Sequence, residues 1–174
     1  MDVAEAIKTR RSIRSYQNVP IEKEKIEKIL QAAQLAPSAG NYQNWRFVMV
    51  RNKETIKKLA VICANQSFIA DVDTVICCCG TKPDHVMSGG EKSYCVDVSI
   101  AMSFMMLQAT ELGIGTCCIG AYNQAKVKTL LRIPDDVRVA SLLTFGYPHF
   151  TPAPTDRKPL AEIIAVEHYL QPYQ

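Results

Sequence analysis

Apolar positions recur along the chain with two periods, and each period marks a different kind of element. Val3, Ala6 and Ile7 share one helical face over residues 3–9, with Asp2 placed to cap the first turn. Residues 22–35 repeat the pattern. Ile26, Ile29, Leu30 and Ala33 are spaced three and four apart, Lys and Glu fill the opposite face, and Pro37 stops the helix. Residues 45–51 alternate and are rich in β-formers, so they are read as a strand. Asn52 can cap a third helix, to about residue 64, carrying Ile56, Leu59, Ala60 and Cys63. Residues 74–79 form a second, wholly apolar strand that ends at Gly80, and 81–90 is a polar loop holding Gly89-Gly90.

The second half opens with the longest helix, 94–112, closed by Gly113. Val96, Ile100, Met102, Phe104, Met105 and Leu107 place apolar groups on most of its sides. It is expected to be buried on most sides, with a partner subunit as the second covering surface. Residues 113–120 are read as a glycine-rich turn. Residues 123–132 form an amphipathic helix through Val127, Leu130 and Leu131, and 137–146 a third long strand leading into Gly146-Tyr147-Pro148. The apolar stretch 163–169 is strand-like and has no obvious local partner, so it is expected to pair in another subunit. Strands separated by helices, without internal repeats, predict one α+β or α/β domain over 1–174, with a central mixed sheet and helices on both faces.

Composition changes this picture little. A chain of 174 residues, 48% hydrophobic and 21% charged, has the length for a sizeable core. A net charge of +3 does not mark a dedicated nucleic-acid binder. The N-terminus carries Asp2 and Glu5 and no apolar core of a signal peptide, and the apolar run at 98–107 is too short to span a bilayer. The expectation is a cytoplasmic protein with no membrane partner. Seven cysteines are an odd number, and none has C-x-x-C spacing, so metal and thioredoxin patterns are absent. Cys77, Cys78 and Cys79 lie in an apolar strand, where free thiols act as small hydrophobes.

Candidate chemistry gathers at four places. Arg10-Arg11-Ser12-Ile13-Arg14 packs three guanidinium groups and a hydroxyl into five residues. In an extended segment Arg10, Ser12 and Arg14 share one face, which suits a phosphate, while Arg11 and Ile13 share the other. A basic helix end would account for one of these arginines. Pro37-Ser38-Ala39-Gly40-Asn41-Tyr42-Gln43-Asn44-Trp45 supplies amides able to read the edge of a planar heterocycle, although alone it is more simply a solvated turn. Gly113 to Gly120 contains G-x-G but not G-x-G-x-x-G, and follows a helix, so it is no dinucleotide fingerprint; its glycines could let backbone approach a flat ligand. Arg157-Lys158 sits in a proline-stiffened tail and is either a phosphate clamp or a solvated pair.

In this order and spacing the chain resembles the nitroreductase family of FMN-dependent oxidoreductases. The resemblance rests on Ala6-Ile7 with Arg10 to Arg14, on Ala36-Pro37-Ser38-Ala39 with Asn41, Gln43 and Trp45, on Gly113-Ile114-Gly115, on Gly146-Tyr147-Pro148, and on Arg157-Lys158-Pro159-Leu160. The family often has proline where this chain has Asn44. The resemblance implies a three-layer α/β/α sandwich with a mixed, mainly antiparallel sheet, and a homodimer with FMN at the subunit interface. It would place Arg10, Ser12 and Arg14 on the phosphate and ribityl end, with Arg11 nearby and Arg157 and Lys158 joining from the same chain. Pro37, Ser38 and Ala39 would come from the other subunit, Asn41 and Gln43 would lie along the cofactor, and Cys118, Ile119 and Gly120 would supply backbone beside the ring. It implies ping-pong electron transfer from NAD(P)H to a nitroaromatic, quinone or similar small acceptor, with no catalytic acid or base from the protein.

Three other functions remain as alternatives. Flavoproteins of the same fold dehalogenate aromatics or process the flavin itself. A non-catalytic anion or nucleic-acid module would use the arginine cluster and bind with steep salt dependence. A thiol-based redox or metal protein would show bound metal or a reactive cysteine.

Overall fold

The computed structural model describes residues 1–173. Helices form where a cap and a 3.6-residue apolar period coincide. The Asp2 carboxylate accepts the Glu5 amide at 2.8 Å to open α1 (Val3–Thr9). α2 (Lys23–Gln34) buries Ile26, Ile29 and Ala33 along one stripe. Asn52 and Asn123 cap α3 (Lys53–Ile62) and α5 (Gln124–Leu131) in the same way as Asp2, each accepting an amide at 3.0 Å. α4 (Ser93–Glu111) is the longest helix and α6 (Leu160–Ile163) a single turn near the C-terminus. Short 3-10 turns occupy Ala39–Asn41 and Ser67–Asp71.

Four strands, β1 (Trp45–Val50), β2 (Thr74–Gly80), β3 (Gly115–Ile119) and β4 (Arg138–Gly146), form one sheet in the order β1-β2-β4-β3. Every pairing of named strands is antiparallel. The parallel component is an isolated bridge, Ser12 to Thr116, that lays the arginine segment along the outer edge of β3. β2 is buried at every position. Its side chains alternate faces: Cys77 and Cys79 join Ile56, Leu59 and Val127 under α3 and α5, whereas Ile76 and Cys78 join Ile29, Val98 and Met105 under α2 and α4. The sheet is thus covered by helices on both faces, the three-layer arrangement expected.

The structure corrects the expectation in two places. Residues 113–120 are not a turn throughout. Gly113, at φ 75°, makes the turn, and Gly115–Ile119 is a strand. A five-residue strand buried at four of its five positions has no alternation to reveal it. Residues 163–169 are not a strand: Ile163 ends α6, and only an isolated bridge, Ala165 to Pro172, follows. A lone strand with no ladder partner in its own chain has nothing to fix it. α4, the helix expected to need a second covering surface, is buried along one side through Asp97, Val98, Ala101, Met102 and Met105, and its own chain leaves Val96 and Phe104 exposed. One sheet and its neighbouring helices cover only the inner side.

Burial sets the titration of the core. It raises the Cys63 thiol from the ordinary 9.0 to about 11, raises Cys78 well above its ordinary value, and pushes Tyr122 up to about 12. Above pH 9 the unfolded chain releases these protons while the native chain keeps them, so the native state binds more protons and stability falls as pH rises. Urea midpoints are therefore expected to be level from pH 7 to about 9 and to drop steadily from there toward pH 11. A midpoint that rises over that interval would contradict the buried neutral thiols.

Candidate functional site

The arginine segment is held by two side chains pressed into two glycine gaps. Ile13 is buried, its amide donates to the Thr116 carbonyl at 2.9 Å, and a Cβ on Gly115 would lie 2.7 Å from its Cγ1. Tyr16 is buried against Gly146, where a Cβ would fall 2.8 Å from its ring. The Tyr16 hydroxyl donates to the Ile13 carbonyl at 2.7 Å and lies 2.8 Å from Thr144 Oγ1, which in turn accepts the Cys117 amide at 3.1 Å. Burial raises the Tyr16 phenol above its ordinary value, so it stays a neutral donor. Residues 11–16 are thereby fastened along β3 and β4.

Arg11 and Ile13 line one small cavity beside Gly115. Arg11 turns with Ile13 to the inner side, donating to the Lys8 and Arg10 carbonyls at 2.8 and 2.9 Å across the end of α1, and its Nε is buried without a partner. Arg10 and Ser12 are half-buried and Arg14 is exposed. Among the described residues, the side chains of these three make no hydrogen bond and no ion pair. Burial raises the Cys117 thiol, and the positive charges of Arg14 and Arg10 oppose that rise. Thr116 Oγ1, beside Ser12 in the bridge, is buried with no partner. Two unpaired guanidinium forks and a hydroxyl on one face are a donor set for a phosphate monoester, whose oxygens only accept. Farther along β3, Cys118 and Gly120 are exposed, Ile119 is buried, and a Cβ on Gly120 would meet nothing within 4 Å. The backbone there is open to a flat group. These residues fit the phosphate and ring of a flavin mononucleotide.

The loop at 37–44 stands at the other edge. It leads into β1, and β2 and β4 lie between β1 and β3, about 14 Å across three strand spacings. Pro37 is exposed, and Ser38 and Ala39 are half-buried. Gly40, Asn41 and Gln43 have φ of 54°, 56° and 52°, in the left-handed region. Asn41 and Gln43 are exposed, and Gln43 Nε2 donates to the Asn41 carbonyl at 3.2 Å. The Ala39 amide donates to Asp97 Oδ1 on α4 at 2.9 Å. Asn44, in the place of the familiar proline, is buried, and its carbonyl accepts the Thr81 amide at 3.1 Å. Arg157 and Lys158 lie on a third element, the segment after β4, exposed from residue 153 through 173. Arg157 donates to its neighbour Thr155 Oγ1 at 2.7 Å.

One chain therefore brings Arg10, Ser12 and Arg14 together with Cys118, Ile119 and Gly120, and leaves 37–43 on the opposite edge. A cleft of about 630 Å³ between α1, α2 and α4, lined by Val3, Ala6, Ala32, Phe104 and Leu107, touches neither set. Thr116, Tyr16 and Asp97 are parts of the site's framework that sequence reasoning passed over. Gly115 and Gly146 were noticed as motif members, but nothing in the sequence pairs them with Ile13 and Tyr16.

The sequence model of the nitroreductase family matches residues 7–76 and 62–147. The chain belongs to the nitroreductase family. A protein of Methanothermobacter thermautotrophicus is 35% identical over 161 residues, covering 90% of this chain and 82% of its own length. The FMN reductase [NAD(P)H] of Bacillus subtilis is 30% identical over 186 residues, covering 97% and 75%. The solved structure of the NADPH:FMN oxidoreductase of Vibrio harveyi, complexed with NAD+, superposes with a TM-score of 0.89 at 26% identity, over 97% of this chain and 78% of that one. Among the described residues of this family member no helix is long and apolar enough to cross a membrane.

The glycine gap at Gly115 is the most direct lever on the site. Gly115→Ala is expected to displace Ile13 and destabilise the fold by about 1–3 kcal/mol, the usual cost of overpacking a filled core. Urea denaturation measures it, and an unchanged midpoint would contradict the close packing.

Proposed function

We propose that this chain is an FMN-dependent oxidoreductase that passes electrons from NAD(P)H to a small acceptor such as a nitroaromatic or a quinone, and that it works as a homodimer with FMN at the subunit interface. The observation that carries the reading is the unpaired Arg10, Ser12 and Arg14 set beside the open backbone of Gly120, in a chain whose Bacillus subtilis and Vibrio harveyi relatives are named for FMN. FMN, when bound, supplies the hydride chemistry that amino-acid side chains lack. Arg10, Ser12 and Arg14 bind its phosphate end. Arg11, spent on the end of α1, adds positive potential nearby, and Arg157 and Lys158 close on the phosphate from the same chain. The backbone of Cys118, Ile119 and Gly120 borders the ring.

The placement of the remaining residues supports the dimer. With 37–43 on the far edge of the sheet, Pro37, Ser38 and Ala39 reach a flavin held at Arg10 only from a second copy, and Asn41 and Gln43 then lie along it. Two surfaces are suited to that second copy. The outer side of α4 exposes Val96 and Phe104, and its hydroxyls are already satisfied: Ser99 and Ser103 donate back to the carbonyls four residues earlier at 2.6 and 2.9 Å. The C-terminal arm leaves Tyr169 94% and Leu170 89% exposed, which is a large apolar surface for one chain to leave in water. The chain acts as one domain, and seven free thiols suit the reducing cytoplasm.

Titration of flavin-stripped protein with FMN tests the phosphate assignment. Arg14→Ala is expected to weaken binding about ten- to a hundredfold, the loss of a charge-assisted bond. Equal affinity in the variant and the parent would overturn the assignment. Light scattering on the parent is expected to give twice the chain mass, and a monomer would overturn the shared site.

A further inference from the structure

We propose that Asp97 on α4 is a positioning residue for the flavin. Its buried carboxylate holds loop 38–43 in the place that presents Ser38, Ala39, Asn41 and Gln43. The inference rests on the flavin reading above and goes beyond it to a side chain that touches no ligand.

Asp97 is 2% exposed, and no ion pair neutralises it among the described residues. Oδ1 accepts the Ala39 amide at 2.9 Å, and Oδ2 is buried without a partner among the described residues. A carboxylate is costly to bury, and a native fold rarely carries one with so few partners unless the bond it makes is needed. The bond it makes is to the loop. That loop is strained, with the non-glycine residues Asn41 and Gln43 at positive φ, a state that persists only where surrounding structure enforces it. Internal bonds close the loop on itself: the Gln43 amide donates to Ser38 Oγ at 3.0 Å, and the Asn41 amide to the Ser38 carbonyl at 2.9 Å. Among the described residues, the Ala39–Asp97 bond is the one hydrogen bond from 38–43 to a helix; where the loop runs into β1 the Trp45 amide donates to the Gln43 carbonyl at 2.7 Å, and Tyr42 adds an edge-on ring contact with His85, centroids 5.3 Å apart. The loop is therefore a preformed unit that continues into β1 and is tied to α4 by one hydrogen bond. Without Asp97 it keeps its internal shape and loses its place.

The test is an FMN titration of flavin-stripped full-length protein, with hydrogen exchange of 38–43 read in parallel. Asp97→Ala is expected to weaken FMN binding about tenfold, near 1.4 kcal/mol, and to speed exchange across the loop. Asp97→Asn keeps an acceptor for the Ala39 amide and should return binding to within about threefold of the parent. Ala39→Pro removes the same bond from its other end. Ser38, at φ −141° and ψ 157°, already has the extended backbone that precedes proline, and the first position of a helical turn tolerates it. The Asp97→Ala/Ala39→Pro double variant should bind FMN no worse than the weaker single variant, because both remove one interaction. Additive losses, or an Asp97→Ala protein that binds FMN like the parent with unchanged loop exchange, would overturn the inference alone. A parent protein that takes up no FMN would overturn the flavin reading, and this inference with it.

Discussion

The structure of the site depends on a close approach between the arginine segment and the sheet. Ile13 and Tyr16 enter gaps that exist only because residues 115 and 146 lack a Cβ. These two contacts, with the Tyr16–Thr144–Cys117 hydrogen-bond chain, convert a charged stretch after a short helix into a fixed strip along β3. The charges themselves contribute little to holding it there, since among the described residues Arg10 and Arg14 find no partner. Packing places them, and their electrostatics remain available for a ligand. A cationic face assembled this way carries unfavourable self-repulsion that the core must offset, a common arrangement where a binding site is built before its ligand arrives.

Most of the fold was legible in the sequence because its signals are local. Caps at Asp2, Asn52 and Asn123 and the stripe through Ile26, Ile29 and Ala33 depend on neighbours a few residues away, and the helices fall within a residue or two of where periodicity places them. β3 was missed because a short edge strand rich in small residues looks like a glycine turn until β4 and the 12–13 segment are beside it. The 163–169 stretch was misread because apolarity in an arm signals burial somewhere, and strand was only one way to achieve it. For the site, alternation alone separated Arg11 from Arg10, Ser12 and Arg14. The roles of Asp97 and Thr116 were illegible. One is a helix residue whose meaning comes from a loop 58 positions earlier, and the other is a strand residue whose orphaned hydroxyl appears only in three dimensions.

The opposite placement of 37–43 and the arginine strip gives the proposed dimer a functional content. Each chain would hold phosphate on one edge and read a ring from the other, so a second copy completes the site rather than merely stabilising it. In that proposed dimer the outer side of α4 and the apolar arm after β4 would be the surfaces buried by a copy of the same chain.

The visible absorption spectrum of the purified protein, followed by anaerobic addition of NADH or NADPH to the same cuvette, tests the central claim most directly. The account predicts a yellow protein that bleaches on addition of the donor and releases FMN on denaturation. A colourless protein that takes up no added FMN would contradict it, and would leave Arg10, Ser12 and Arg14 as an anion site for some other ligand.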